Sequence, residues 1–591
     1  MLRRLTALLA LACTVGSTPL LAAAADGSAA DAAFAALSAR VVDEFGRYAP
    51  VYATALGDHR FDAQLDDLGP EGRARSLAFA RDTLAALGRI ERSELSRANR
   101  IDAAMLDNEL RSQVWNTERY QAWAWDPLVY TQLSGQALYG LLARDFAPFP
   151  ERARSLTGRL EQVPAFLAQA RANLVPARVP AIHAETAIKQ NPGLLSLVDE
   201  LVVPRLGELP APDRARLEAA IAAARAAVTV HQQWLEKELL PKAQGEFRIG
   251  RELYDEKLAF ALLSPLSRTE IRRRAEAEVV STRAQMYLAA TQALAGRADA
   301  PPLPATPTPE QQQAVIAAAL ELAYAARPTR EAVVDTARRT LAEATEFVRR
   351  KDFVTMPEEP LEIILMPEFQ RGVAVAYCDS PGPLDKGQRT FYAVSPIPED
   401  WTAPQVDSFL REYNERSIAN LSIHEAMPGH YLQIAHSNRY PSVLRAMLSS
   451  GSFVEGWAVY TERVMQEQGF RADDPLMRLV QLKWYLRAVT NAIIDSAIHV
   501  DGMSREDALK LMVETGFQEE REAAGKWVRA QLTSAQLSTY FVGYQEHADL
   551  RAEAERRAGA AFDLKRHHDE VLSFGSPPVR YVRALLLDEA I

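Results

Sequence analysis

Cysteine is almost missing from this chain: 591 residues hold two, Cys13 and Cys378. Cys13 falls in an N-terminal segment that reads as a removable leader, so Cys378 is left alone and no intramolecular disulfide can form. Packing must hold the fold, even in an oxidising compartment. Basic tracts are lacking too. The net charge is −10, and no run of Lys and Arg interleaved with aromatics occurs, which argues against a nucleic-acid partner. Beyond the leader no apolar run is long enough to span a bilayer. No internal repeat recurs. Histidine is scarce and uneven: seven of the ten lie after residue 423. Metal or acid–base chemistry is therefore expected in the last third.

What is present at the start is an export pattern. Arg3 and Arg4 are followed by apolar Leu5 to Cys13, and Ala22 to Ala25 offers an A-x-A cleavage site before Asp26. Residues 1–25 read as a signal peptide, and the mature chain is expected in the periplasm or outside the cell. Gly16, Ser17 and Pro19 interrupt the run and disfavour a membrane anchor. Ala10-Leu11-Ala12 is a poor lipoprotein signal, so a lipid on Cys13 is the less favoured alternative.

The apolar content of 48% is ordinary for a globular core. Leu217 to Leu240 and Ala314 to Arg327 are Ala-rich, with apolar residues three and four apart. Such spacing predicts helices, and the pattern continues nearly throughout. The expected class is mainly α, a large helical body. Prolines crowd Ala298 to Pro309 and forbid a continuous helix there. Residues 298–310 are read as a divide between a helical half, 26–297, and a catalytic half, 311–591, or as a surface loop inside one body. Leu361 to Met366, Arg371 to Cys378 and Thr390 to Ser395 are rich in Ile, Val and Tyr. They predict a small sheet ahead of the histidine-rich region. An exposed strand there could pair with an extended peptide; a hairpin closing the core is the other reading.

The chemistry concentrates in Leu421-Ser-Ile-His-Glu-Ala-Met-Pro-Gly-His430. Two imidazoles and a carboxylate can hold zinc, and a neighbouring carboxylate can deprotonate water. In the common H-E-x-x-H pattern the histidines are four apart and share one helical face. Here they are six apart, which on an ideal helix separates them by roughly 240°. Pro428 and Gly429 supply the remedy: together they should break or bulge the helix and swing His430 back toward His424. The alternative is that His424 is an ordinary core histidine and Glu425 a solvated charge. A third ligand is expected from Glu455, set among Phe453, Val454, Trp457 and Ala458. A carboxylate buried there is costly unless a cation accompanies it. Glu462, seven residues on, can share that face and orient a ligating imidazole, or can make a surface salt bridge.

Further candidates follow. Arg487 and Asp495 flank an apolar helix, and His499 is four residues beyond Asp495, so that pair can touch. It would tune protonation or bind substrate, or serve structure alone. Tyr540 and His568 can donate to an oxyanion formed when water attacks an amide.

At these segments the chain resembles a bacterial family of unknown function, the one numbered 885. His424-Glu-Ala-Met-Pro-Gly-His430 and Glu455-Gly-Trp-Ala-Val-Tyr460 carry the likeness most specifically. Ala53 to His59, Tyr254 to Leu258, Arg487 to His499, Tyr540 to Gly543 and His568 to Pro578 extend it. The resemblance implies a mostly helical protein with a deep cleft, similar in arrangement to thimet-type oligopeptidases and angiotensin-converting enzyme. Those zinc peptidases use H-E-x-x-H and a Glu on the next helix. Carried over by motif, His424, His430 and Glu455 would be ligands and Glu425 the base. The chain departs from their pattern by two extra residues between the histidines. It also has His567 where the family pattern has Phe.

The expectation is an exported zinc-dependent peptidase acting on short peptides. Cobalt or manganese would suit the same ligand types. The rivals are a metal-dependent amidase acting on cell-wall peptides and a non-catalytic helical protein that captures peptides.

Overall fold

The computed structural model describes residues 28–371 and 375–591. The expected signal peptide with Cys13 lies outside the described residues, as do positions 372–374 of the second expected strand.

Helices dominate, as the spacing of apolar residues predicts. The central one is Pro475–Val500. Asp474 caps it by accepting from Leu476 N, and Pro475 sits where a missing amide is harmless. From Ala488 to His499 every residue is buried; a helix covered all round belongs in a core, not at a surface. The helix Arg268–Leu294 packs along it, and so does Ser538–Ala558. The proline-rich segment joins Arg268–Leu294 to Pro309–Ala325. Tyr287 Oη donates to Pro304 O at 2.5 Å, and Thr308 and Gln311 form a capping box. One apolar cluster takes Met286 and Leu294 from before this segment and Val315 and Leu320 from after it.

The small sheet is there, beside the histidine motif. Its strands are β1 (Leu361–Leu365), β2 (Ala376–Asp379) and β3 (Thr390–Val394), in the order β1-β3-β2. β1 runs parallel to β3, and β2 antiparallel. Central β3 is buried along its whole length. Ile363, Tyr392 and Val394 pack with Tyr413, Ile418 and Leu421, which docks the sheet on the helix carrying His424. β2 is an edge strand. Ser395 N donates to Val375 O at 2.8 Å, which sets the phase of the ladder. Tyr377 and Asp379 therefore bond to β3, and Ala376 and Cys378 turn their backbone groups to the free edge. The end of β2 is clamped from the N-terminal part of the chain: Arg144 reaches Asp379 O at 2.6 Å and its carboxylate at 2.9 Å. Tyr139 Oη donates to the same carboxylate at 2.7 Å.

Among the described residues no helix is long and apolar enough to cross a membrane.

Candidate metal centre

The helix Glu415–Glu425 begins at Asn414, whose side chain accepts from Arg416 N and Ser417 N. It ends at Ala426, where φ −132° and ψ −76° leave the helical region. The Met427–Pro428 peptide is cis, and a new helix starts at His430 and runs to Ser437. The interruption is a clean break with a turn. Only glycine fits at 429, because a Cβ would lie 1.9 Å from His424 O and 2.4 Å from Ile423 O. The turn answers the orphaned helix end itself: Gly429 N donates to Ile423 O at 2.9 Å. Trp457 Nε1 donates to Pro428 O at 2.9 Å and ties the turn to the next helix. The result brings the His424 and His430 rings to 4.7 Å between centroids, at 87°.

That next helix, Gly451–Glu467, is capped by the Ser450 side chain. It presents Glu455, whose Oε2 lies 3.7 Å from His424 Nε2 and 3.4 Å from His430 Nε2. This oxygen is buried and accepts no hydrogen bond. Two donors about 2.1 Å from one tetrahedral ion stand about 3.4 Å apart. The separations are thus long for hydrogen bonds and right for donors sharing a cation. Among the described residues, no other three His, Cys, Asp or Glu side chains converge in this way.

Glu462, two turns further, is 2% exposed. Its Oε1 lies 2.7 Å from His424 Nδ1, and its Oε2 accepts from Asn420 Nδ2 at 2.7 Å. Nδ1 therefore donates to Glu462, which would leave the Nε2 lone pair for a cation beside Glu455. Burial opposes charge on His424, but the facing carboxylates of Glu455 and Glu462 outweigh it and raise its pKa to about 10. Burial likewise opposes charge on Glu455, and the two imidazoles override it and hold the carboxyl far below its usual range. Glu425 goes the other way. Burial raises its pKa, only partly offset by the same imidazoles.

Glu425, the three clustered side chains, Tyr540 and Arg487 line one cavity of about 320 Å³, bordered by Val375 to Cys378 on the β2 side. Tyr540 Oη accepts from Arg529 Nη2 at 3.0 Å, and its ring lies 6.4 Å from that of His424. Arg487 pairs with Glu522 at 2.6 Å.

Three candidates lie elsewhere. Asp495 accepts from Ala535 N, Ser538 N and Ser538 Oγ, each at 3.0 Å, and so anchors the start of Ser538–Ala558. His499 Nε2 lies 2.8 Å from both Ala530 O and Thr533 O. The two share a helix face, but it looks toward the 530–538 connection and away from the cavity; backbone groups there take the bonds they were expected to exchange. His568 sits behind the Glu455 helix. Its Nδ1 donates to Phe353 O and its Nε2 accepts from Tyr460 Oη, both at 2.8 Å. Both nitrogens are used, and burial pushes its pKa down to about 3.

The sequence reading missed Asn491, Lys526 and Arg529, which also line the cavity. Lys526 had a signal. Ala523, Lys526, Trp527 and Ala530 form the buried stripe of the helix Glu520–Leu532, and a lysine inside an apolar stripe is out of place.

The family model of bacterial proteins of unknown function, DUF885, matches residues 50–586. A solved structure of a candidate lipoprotein of unknown function from Shewanella oneidensis is 34% identical, with a TM-score of 0.76 over 94% of this chain and 99% of that one. A candidate lipoprotein from Colwellia psychrerythraea is 18% identical, with a TM-score of 0.76 over 95% of this chain and 99% of that one; that likeness is one of fold. No curated protein is similar enough to match.

Proposed function

We propose that this chain, which belongs to the DUF885 family of bacterial proteins of unknown function, is an exported zinc-dependent peptidase of short peptides. One observation carries the reading: a buried Glu455 oxygen with no hydrogen bond, 3.4 and 3.7 Å from two imidazole nitrogens. His424, His430 and Glu455 would hold the metal. A divalent cation there lowers the pKa of water and polarises a scissile carbonyl.

The side chains around it have the matching roles. Glu425 takes the proton from the attacking water and returns it to the leaving amine; burial raises its pKa toward the range a general base needs. Tyr540, held by Arg529, donates to the carbonyl oxygen as charge develops. The free edge of β2 offers the backbone groups of Ala376 and Cys378 to an extended peptide. A cavity of about 320 Å³ suits a few residues and excludes a folded domain. A periplasmic or secreted location accords with the lipoprotein description of the Shewanella oneidensis structure.

Metal analysis of protein purified without a histidine tag, together with cleavage of a peptide pool, tests this. Near-stoichiometric zinc and chelator-sensitive cleavage are expected. Glu425→Gln should keep the metal and lose about 10²–10⁴-fold in kcat. A metal-free protein, or cleavage indifferent to chelator, refutes the reading.

A further inference from the structure

Next to the metal cavity lies a second one of about 200 Å³, and the two share Val375, Arg487, Lys526 and Arg529 as walls. Three of these four are cations. Among the described residues the carboxylate in salt-bridge contact with them is Glu522, bonded to Arg487 at 2.6 Å. Lys526 is 5% exposed, makes no hydrogen bond, and stands 3.8 Å from that same carboxylate. Arg529 bonds only to neutral partners, Gln536 Oε1 and Tyr540 Oη, both at 3.0 Å, and its Nε is buried without a partner. Buried cations are normally paired, because desolvation costs them far more than it costs an exposed ammonium. Here two are left over, in a chain whose net charge is −10. Ile397, Trp401 and Phe409 give this second cavity an apolar side, and Arg371 and Arg521 add two further cations to its lining.

We infer that this paired cavity receives the C-terminal residue of the peptide, with its free carboxylate on Lys526 and Arg529 and its side chain against Ile397, Trp401 and Phe409. The inference deepens the proposed function and rests on it. The direction follows from the sheet. Val375 directly precedes β2 and belongs to both cavities. A peptide laid along Ala376 and Cys378 therefore runs past the metal ligands at one end and into the cationic pocket at the other. Burial, with Arg487 and Arg529 adding to it, holds the Lys526 pKa well below its ordinary range; an incoming carboxylate supplies the counter-charge that lets the amine take up its proton. An acidic side chain offers the same chemistry, so the experiment must separate the two sources.

Binding to metal-loaded Glu425→Gln, read by calorimetry, does so without relying on turnover. Three probes are compared: a six-residue peptide with a free C-terminus, its C-terminal amide, and that amide with an internal Glu. The free acid should bind about 10- to 100-fold more tightly than either amide. In a Lys526→Met background, with Lys526→Gln as a second variant, the acid-to-amide ratio should fall toward one. Equal affinity for acid and amide, no binding of either, or an internal Glu that restores full affinity each overturns the inference. So does a Lys526 variant that weakens acid and amide alike, the result of a merely structural role. Absence of hydrolysis in the unaltered protein, with the acid preference intact, would instead count against the proposed function.

Discussion

Replacing Glu462 by Gln separates charge from shape at the centre. The carboxylate is 2% exposed and makes two hydrogen bonds of 2.7 Å, to His424 Nδ1 and Asn420 Nδ2. Gln has the same outline. Its oxygen keeps the bond to His424, and its amide nitrogen then faces Asn420. Asn420 Oδ1 is buried without a partner, so half a turn of that amide presents an acceptor to the new donor. The bond count survives, and the fold should too. What disappears is a negative charge against the imidazole. Burial pulls the His424 pKa down, and Glu455 and Glu462 are what raise it to about 10. With one of them neutral, the ring is a weaker base and a weaker ligand. Losing such an outer partner costs about 10–100-fold in metal affinity, or about 1.4–2.8 kcal/mol. Competition against a chromophoric chelator at fixed pH measures this, with thermal melts in the absence and presence of zinc as a control. The melting temperature without zinc should stay close to that of the unaltered protein, and the increase produced by zinc should shrink. A variant that binds zinc as tightly as the unaltered chain would refute the reasoning.

Gly543→Ala should lower both stability and activity: its methyl would lie 1.9 Å from Ser452 O and 2.7 Å from Gly456 Cα. The helices Gly451–Glu467 and Ser538–Ala558 meet there, so overpacking should cost at least about 1–3 kcal/mol and shift Glu455 and Tyr540; calorimetry showing an unchanged melt would contradict this. His59 bridges Asp62 at 2.9 Å and Asp385 at 3.1 Å and stacks on Phe146. Burial lowers its pKa, but the two aspartates outweigh burial and raise it to about 9 from 6.5. A raised folded-state value means this contribution is complete below about pH 6.5 and fades as pH climbs through about 9. After allowance for its partial exposure it is worth on the order of 2 kcal/mol. Melting between pH 6 and 10 should fall more steeply in the unaltered protein than in Asp385→Asn; parallel curves would remove His59 as the cause.

Much of the architecture was legible because it rests on short-range rules. Apolar spacing and alanine content mark the helices, and β-branched and aromatic runs mark the three strands, within a few residues of where they stand. The interruption at Pro428-Gly429 could be anticipated from an amide that proline lacks and a Cβ that glycine lacks. Asp495, His499 and His568 show the limit of that method. Each is a polar side chain on a helix, as Glu455 is on its own. Each finds its partner on a segment distant in sequence: the 530–538 connection for the first two, and Phe353 and Tyr460 for the third.

Residue types and local spacing alone determined that the chain is mainly helical, that a small sheet precedes the histidine motif, and that no helix runs unbroken from His424 to His430. Those outcomes depend on contacts within a turn or two of backbone. Only the tertiary structure decided that Glu455 meets both imidazoles, that Glu462 holds one of them, and that Lys526 and Arg529 line the same cavity. Those depend on how separate helices cross, and a crossing is set by the close approach of Gly456 and Gly543 and by the packing of whole faces.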